Sequence, residues 1–225
     1  MTLREFPSAA AFNDALAQLL LEQFQQPVGS PYAVMLAGGS TPLAAYRQVA
    51  QRHPQAGPGL HLLFSDERMV PKNSPLSNTG NARGLLDVLG PPPARLLDVH
   101  TELSLTDAAQ QWHADLESYF RLGGKLPLGL LGLGADGHTA SLFSRADVER
   151  GHGCYAIPVP RPAGPDRVSV TIDVLARAER IVFAVAGPDR SATVAQLLRA
   201  PSTLPAGLAV AGVAQVELFY SASTV

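Results

Sequence analysis

The sequence predicts an α/β fold with a mostly parallel central sheet and helices on both of its faces. Short, continuously apolar runs recur along the chain, and such runs are typical of strands that are buried on both faces. Segments with apolar residues at helical spacing lie between these runs, and alternation of strands with helices favours parallel connections. We expect residues 1–225 to form one domain, because no repeat, low-complexity tract or linker interrupts this pattern.

The apolar runs define the predicted strands, which cover residues 32–37, 60–65, 97–100, 126–134, 167–175, 180–187 and 215–220. The helical patterns define the predicted helices, which cover residues 8–26, 42–53, 79–89, 107–122 and 189–200. Ser8 is a suitable N-cap for the first helix, and Pro42 suits the first position of the second. The Pro- and Gly-rich segments 160–166 and 201–207 are predicted to be loops.

The composition is that of an ordinary globular protein, with 46% hydrophobic and 16% charged residues. A net charge of −2 and a pI of about 6.3 do not favour a nucleic-acid-binding protein, which is usually basic. The single cysteine, Cys154, cannot form an internal disulfide, which fits a reducing compartment. Neither a secretory signal nor a long apolar span is visible. We expect a cytoplasmic monomer that binds neither nucleic acid nor membrane.

A glycine-rich segment, Gly38-Gly39-Ser40-Thr41-Pro42, follows the first predicted strand and opens a helix. Glycines allow close approach of a ligand, and the free amides of a helix start favour an anion. The hydroxyls of Ser40 and Thr41 add donors, so the segment is a candidate phosphate cradle. It could equally be a tight turn in which Thr41 is the N-cap. It is not a Walker A loop, because the Gly-Lys-Ser/Thr ending is absent.

A charged segment, Ser65-Asp66-Glu67-Arg68, stands at the end of the second predicted strand. In a parallel sheet this places it at the same carboxyl edge as the glycine-rich segment. The guanidinium fork of Arg68 suits a phosphate or a polarised carbonyl. Asp66 is a candidate substrate-binding residue at this edge. Solvated loop charges with an internal ion pair are the alternative interpretation.

The turn after the strand at 126–134 carries Asp136 and His138, two residues that can perform proton chemistry. A histidine at the carboxyl end of a strand lies where α/β sheets build ligand crevices, and imidazole exchanges protons near neutral pH. The small residues after His138 could begin a helix. The turn also fits the dinucleotide pattern G-x-G-x-x-G, but Asp136 would oppose a pyrophosphate and no acid lies near Ile157 to bind a ribose.

Two later arginines complete the candidate set. Arg167 begins one predicted strand, and Arg190 begins the helix that follows another. Each could be a surface residue, although Arg190 at a strand's carboxyl end suits an anionic ligand. The remaining histidines and Cys154 lack metal-ligand spacing, so no metal is predicted. Ser141 lacks the context of a nucleophile elbow, which argues against a serine hydrolase.

Three of these segments together resemble the 6-phosphogluconolactonases: GGSTP, SDERMVP with the following Ser77-Asn78, and GLGADGHTASLF. Members of that family are similar in fold to glucosamine-6-phosphate deaminases and isomerases, with a Rossmann-like α/β domain. The resemblance implies a cofactor-free hydrolase of 6-phospho-D-glucono-1,5-lactone in the oxidative pentose phosphate pathway. It also implies that His138 is the general base and that Arg68 belongs to the catalytic DER element.

The same resemblance places the sugar phosphate at Gly38, Gly39, Ser40 and Thr41, with Arg167 and Arg190. Asp136 would orient His138, and either Arg68 or the amides of residues 134–138 would stabilise the oxyanion. Two alternatives stay open at this point. One is an amino-sugar-phosphate isomerase or deaminase that uses the same sheet edge. The other is a sugar-phosphate sensor that binds its ligand without turning it over.

Overall fold

The computed structural model describes residues 1–224. In this part of the chain the strands are β1 (Thr2–Glu5), β2 (Tyr32–Leu36), β3 (Leu60–Phe64), β4 (Asp66–Arg68), β5 (Leu96–Leu97), β6 (Lys125–Leu131), β7 (Ala156–Val159), β8 (Arg167–Val170), β9 (Ala178–Ala186) and β10 (Gln215–Ser221). The α-helices are α1 (Ala9–Phe24), α2 (Leu43–Gln51), α3 (Asn78–Asn81), α4 (Arg83–Leu89), α5 (Leu105–Arg121), α6 (Arg145–Arg150), α7 (Ile172–Leu175), α8 (Ser191–Arg199) and α9 (Pro205–Ala209).

Seven of these strands form the central sheet, in the order β1-β10-β9-β6-β2-β3-β5. Every pairing in this sheet is parallel, which confirms the predicted fold class. The chain runs outward from β2 through β3 to β5, returns to β6 on the other side of β2, and continues to β9 and β10. The strand order therefore reverses between β2 and β6, and ligands of open α/β sheets bind at such a reversal.

Hydrophobic cores cover both faces of this sheet, because consecutive side chains of a strand point to opposite faces. In β9, Ile181, Phe183 and Val185 pack on one face and Val182 and Ala184 on the other. Helices α1, α2 and α4 cover the second of these faces. Helices α5, α8 and α9 cover the first, together with a smaller sheet. The predicted helices on both faces are thus confirmed.

The smaller sheet has the strand order β4-β8-β7 and is antiparallel. The sequence did not predict it, and the predicted strand at 167–175 was wrong in its second half. Strand β8 ends at Val170, and α7 begins at Ile172 after Thr171. Arg167 therefore lies in the smaller sheet, where it is paired with Arg68 of β4.

Other boundaries differ for local reasons. The edge strand β1 was not predicted, because four mostly exposed residues carry little apolar signal. The helix predicted at 79–89 is divided at Ala82 into α3 and α4. No helix follows His138 directly, since residues 139–142 form a turn with a bridge between Thr139 and Leu142. Within residues 1–224, no helix combines the length and apolar character that a membrane crossing requires.

We predict that Phe183→Ala lowers the free energy of unfolding by about 3–5 kcal/mol, because it leaves a cavity at a fully buried position of a central strand. Urea unfolding followed by circular dichroism measures this loss. Leu122→Ala is the matched control, because Leu122 is 76% exposed and its truncation should cost less than about 0.5 kcal/mol. Equal losses in the two variants would contradict the assignment of β9 to the core.

Candidate active site

A cleft of about 240 Å³ opens at the carboxyl ends of β2, β3, β6 and β9, beside the reversal of strand order. It gathers segments that are far apart in the chain. Its lining consists of Gly38, Gly39, Ser40, Thr41, Pro42, Ser65, Asp66, Arg68, Gly132, Leu133, Gly134, His138, Ala140, Ala184, Val185, Ala186 and Arg190. Most of the predicted site residues therefore meet in one cavity.

The glycine-rich segment forms the loop between β2 and α2. Gly39 has a φ of 84°, which disfavours any residue with a side chain. Gly38 is needed for another reason, since a Cβ there would overlap the Asn78 carboxamide. Helix α2 begins behind Pro42 without a side-chain cap, so Thr41 is not its N-cap. The Thr41 cap is therefore wrong, but the turn itself is present, since the Leu43 amide donates to the Ser40 carbonyl at 3.2 Å. Ser40 and Thr41 line the cleft.

The two carboxylates of the SDER segment have different surroundings. Asp66 lines the cleft, and its Oδ2 accepts a hydrogen bond from the Ser141 hydroxyl at 2.6 Å. Its Oδ1 accepts from the Ser65 hydroxyl at 3.2 Å and from Asn78 Nδ2 at 3.3 Å. Asp66 thus joins the SDER strand to the turn that carries His138.

Glu67 is completely buried and does not line the cleft. Its carboxylate accepts hydrogen bonds from the backbone amides of Arg68 (2.7 Å), Asn78 (2.8 Å) and Thr79 (2.9 Å). The Ser77 hydroxyl donates a fourth, at 3.0 Å. These four hydrogen bonds offset the free-energy cost of burying the carboxylate, and three of them connect residues 77–79 to β4.

Arg68 and Arg167 face each other across β4 and β8. Arg68 lines the cleft and donates from Nη1 to the Leu76 carbonyl at 2.6 Å. Arg167 lies outside the residues that line the cleft, so it does not stand beside Arg190 as the sequence led us to expect. Burial, followed by the positive charge of Arg68, lowers the pKa of Arg167. The Nε atoms of both arginines are buried without a hydrogen-bond partner.

The turn after β6 holds Asp136 and His138 in direct contact. Nδ1 of His138 donates to Asp136 Oδ1 at 2.5 Å, and the same oxygen accepts from the His138 amide at 3.2 Å. Partial burial opposes ionisation of Asp136, but the hydrogen bonds from His138 prevail and lower the pKa of Asp136. Because the carboxylate accepts from Nδ1, the imidazole keeps Nε2 as the atom that can accept a proton.

Close packing shapes this turn. A Cβ at Gly134 would overlap the His138 imidazole, and a Cβ at Gly137 would overlap the Leu204 side chain. Gly137 also has a φ of 81°, and Ala140 has a φ of 48° although it is not a glycine. A non-glycine residue in this conformation stores strain that tends to accumulate at functional sites.

Arg190 lies between β9 and α8, directly before the first residue of α8, and lines the cleft. Its Nη1 atom lies 2.9 Å from Asp189 Oδ2, and its side chain is 30% exposed. The guanidinium keeps further N–H donors for a ligand. Across residues 1–224, acidic, histidine and cysteine side chains form no cluster able to hold a metal ion.

Sequence reasoning missed several residues of the site. Ser141 bonds to Asp66, and Gly132, Ala140 and the end of β9 line the cleft. Ser141 was weighed only as a nucleophile, although its place in the DGHTAS segment was a usable signal. Nothing in the sequence indicated the positive φ of Ala140, because alanine rarely adopts this conformation.

Together, an all-parallel sheet, a cleft at its reversal point and a paired Asp–His turn define an α/β protein built to act on a small polar ligand. The family model described as glucosamine-6-phosphate isomerases/6-phosphogluconolactonase matches residues 7–218. The chain belongs to this family.

Individual relatives agree with this assignment. The chain is 31% identical to a human 6-phosphogluconolactonase, in an alignment that covers 90% of this chain and 84% of the relative. It is 30% identical to the 6-phosphogluconolactonase of Haemophilus influenzae, with 92% and 88% covered. The crystal structure of the Thermotoga maritima 6-phosphogluconolactonase superposes with a TM-score of 0.82 at 25% identity, and 98% of this chain and 99% of that one are covered.

We predict that Glu67→Gln lowers the free energy of unfolding by about 1–3 kcal/mol, because an amide NH₂ would face a backbone N–H that has lost its acceptor. Chemical denaturation of purified protein measures the change. Glu149→Gln is the control, since that side chain is 63% exposed and lies on the surface. If both variants unfold at the same denaturant concentration, Glu67 does not anchor this segment.

Proposed function

We propose that the chain hydrolyses 6-phospho-D-glucono-1,5-lactone to 6-phosphogluconate, a reaction of the oxidative pentose phosphate pathway. The observation that carries the proposal is His138, which lines the cleft together with the glycine-rich loop and Arg190 and is hydrogen-bonded to Asp136 outside that lining. The names of the relatives, which are 6-phosphogluconolactonases, support the same substrate.

The hydrolysis needs a base for water and a donor for the ring oxygen. In the proposed mechanism, Nε2 of His138 takes a proton from water as the water oxygen attacks the lactone carbonyl carbon. Asp136 holds the imidazole through Nδ1 and stabilises its charged form. The tetrahedral intermediate then collapses, the bond between the carbonyl carbon and the ring oxygen breaks, and His138 returns the proton to that oxygen. Arg68 or the amides of residues 134–138 stabilise the oxyanion.

The phosphate would bind at the opposite end of the sugar. The amides and hydroxyls of Gly38–Thr41 and the Arg190 guanidinium supply its donors. Asp66 would accept a hydrogen bond from a sugar hydroxyl, because a carboxylate has more lone pairs than its internal partners use. Arg167, which lies beside Arg68 rather than in the lining, would contribute positive charge at longer range. Binding at the phosphate fixes the lactone carbonyl next to His138.

We predict that His138→Ala lowers kcat by about 10²-fold or more, because the general base is lost. Lactone hydrolysis is measured as acid release, with spontaneous ring opening subtracted. His152→Ala is the matched control, since that side chain is 72% exposed and lies outside the cleft. Normal turnover by the His138 variant would remove His138 from the proposed role.

Two further assays on the wild-type protein distinguish the proposed lactonase from the two alternative functions. A deaminase would release ammonia from glucosamine 6-phosphate, whereas the proposed lactonase leaves that sugar unchanged. A sensor would bind 6-phosphogluconate without accelerating lactone hydrolysis. Either result would overturn the proposal.

We predict that Arg190→Ala raises the Kd for 6-phosphogluconate by about 10- to 100-fold, because a charge-assisted contact to the phosphate is lost. Isothermal titration calorimetry measures this change. Arg83→Ala serves as control, because its side chain is 75% exposed and pairs with Asp87 outside the cleft. An unchanged Kd in the Arg190 variant would place the phosphate elsewhere.

A further inference from the structure

We propose that Phe143 and Arg161 are positioning residues that hold the His138 imidazole in its working orientation. The imidazole lies against the Phe143 ring at a tilt, and the Arg161 guanidinium lies over that ring, beside the cleft. The proposal rests on the proposed function, because it concerns the residue that would act as general base. Neither Phe143 nor Arg161 lines the cleft, so both would act through His138.

The hydrogen bond to Asp136 restrains only one atom of the imidazole. The imidazole is also joined to the backbone through Cβ, but coupled changes of its two side-chain torsions can still tilt the ring about the hydrogen-bonded Nδ1 and displace Nε2. Packing against the ring limits this tilt. The Phe143 ring lies against the imidazole, with 4.5 Å between the ring centroids and 42° between the planes. The backbone at Gly134 approaches the imidazole so closely that no Cβ fits between them.

Arg161 holds the aromatic ring in turn. Its guanidinium carbon lies 3.7 Å from the centroid of the Phe143 ring, well within the range of a cation–π contact. Within residues 1–224, no carboxylate lies within ion-pair distance of Arg161. The face of Phe143 is thus the specific partner of this cation.

Both members of the pair are anchored by their own backbones. The Arg161 amide donates to Asp166 Oδ1 at 2.8 Å, and the Asp166 carbonyl accepts from the Met69 amide at 2.8 Å. The loop at 160–166 is therefore tied to the residue that follows β4. The Phe143 amide donates to Asp147 Oδ2 at 3.2 Å, at the start of α6. The contacts among His138, Phe143 and Arg161 thus join the His138 turn to two neighbouring elements.

A double-mutant cycle on kcat tests whether Arg161 acts through Phe143. We expect Phe143→Leu and Arg161→Ala each to lower kcat by roughly threefold to tenfold, with KM changed less than about twofold, because orientation and not binding is lost. The double variant should lose no more than Phe143→Leu alone, since the effect of Arg161 requires the ring. Arg161→Lys should restore most of the rate, because an ammonium also attracts an aromatic face.

The matched control is Arg177→Ala. Arg177 makes a cation–π contact with Phe120 at 4.9 Å, away from the cleft, so its loss should leave kcat unchanged. Additive effects in the cycle would overturn the proposal, because Arg161 would then act independently of Phe143. A rise in KM that exceeds the fall in kcat would also overturn it, because substrate binding and not the orientation of His138 would then be affected.

A second measurement does not depend on turnover. The ring-proton resonances of His138, assigned by their absence in His138→Ala, should carry a ring-current shift from Phe143. We expect Phe143→Leu to remove this shift and Arg161→Ala to reduce it, and unchanged resonances would refute the contact between the Phe143 ring and the imidazole. If the wild-type protein lacks lactone hydrolysis, the proposed function fails and the resonances still decide the packing. If it hydrolyses the lactone and the variants match it in kcat, the positioning proposal alone fails.

Discussion

The Asp66 carboxylate is the interaction on which the geometry of the cleft depends. Ser65, Ser141 and Asn78 all donate to it, so one buried anion joins the end of β3, the turn after β6 and the start of α3. The Asn78 carboxamide in turn occupies the space that a side chain at Gly38 would need, which sets how closely the glycine-rich loop approaches. Removing any one of these donors would leave the buried carboxylate with too few partners, so the positions of the three segments depend on one another.

The sequence was sufficient to predict that a site lies at the carboxyl edge of the sheet, and most of the residues that line it. Continuous apolar runs indicated β2, β3, β6, β9 and β10, and parallel strands bring the residues that follow them to one edge. GGST, SDER and the Asp136–His138 turn met there for that reason. The smaller sheet was not predictable, because β4 consists of the three charged residues that follow β3 and resembles a loop. Arg167 was misplaced as a consequence, since its strand pairs with β4 and not with the central sheet.

Contacts between distant segments explain the rest of what the sequence did not reveal. Phe143 and Arg161 lie in different loops, and no periodicity relates them, so their stacking follows only from the folded chain. The positive φ of Ala140 also could not be predicted from the sequence, because an unfavourable φ persists only where contacts in the folded chain enforce it. The next residue, Ser141, supplies such contacts, because its hydroxyl donates to Asp66 at 2.6 Å and its amide donates to the Ser169 hydroxyl at 3.1 Å.

The placement of β1 has a consequence for the order in which the molecule assembles. Strand β1, from the first residues, pairs only with β10, which lies nearly the whole chain length away. β10 in turn needs β9, the neighbour of β6. One edge of the sheet can therefore close only after the last strand has docked, and contacts between such distant segments form slowly. During synthesis on the ribosome, β1 therefore lacks its partner strand until β10 has been made.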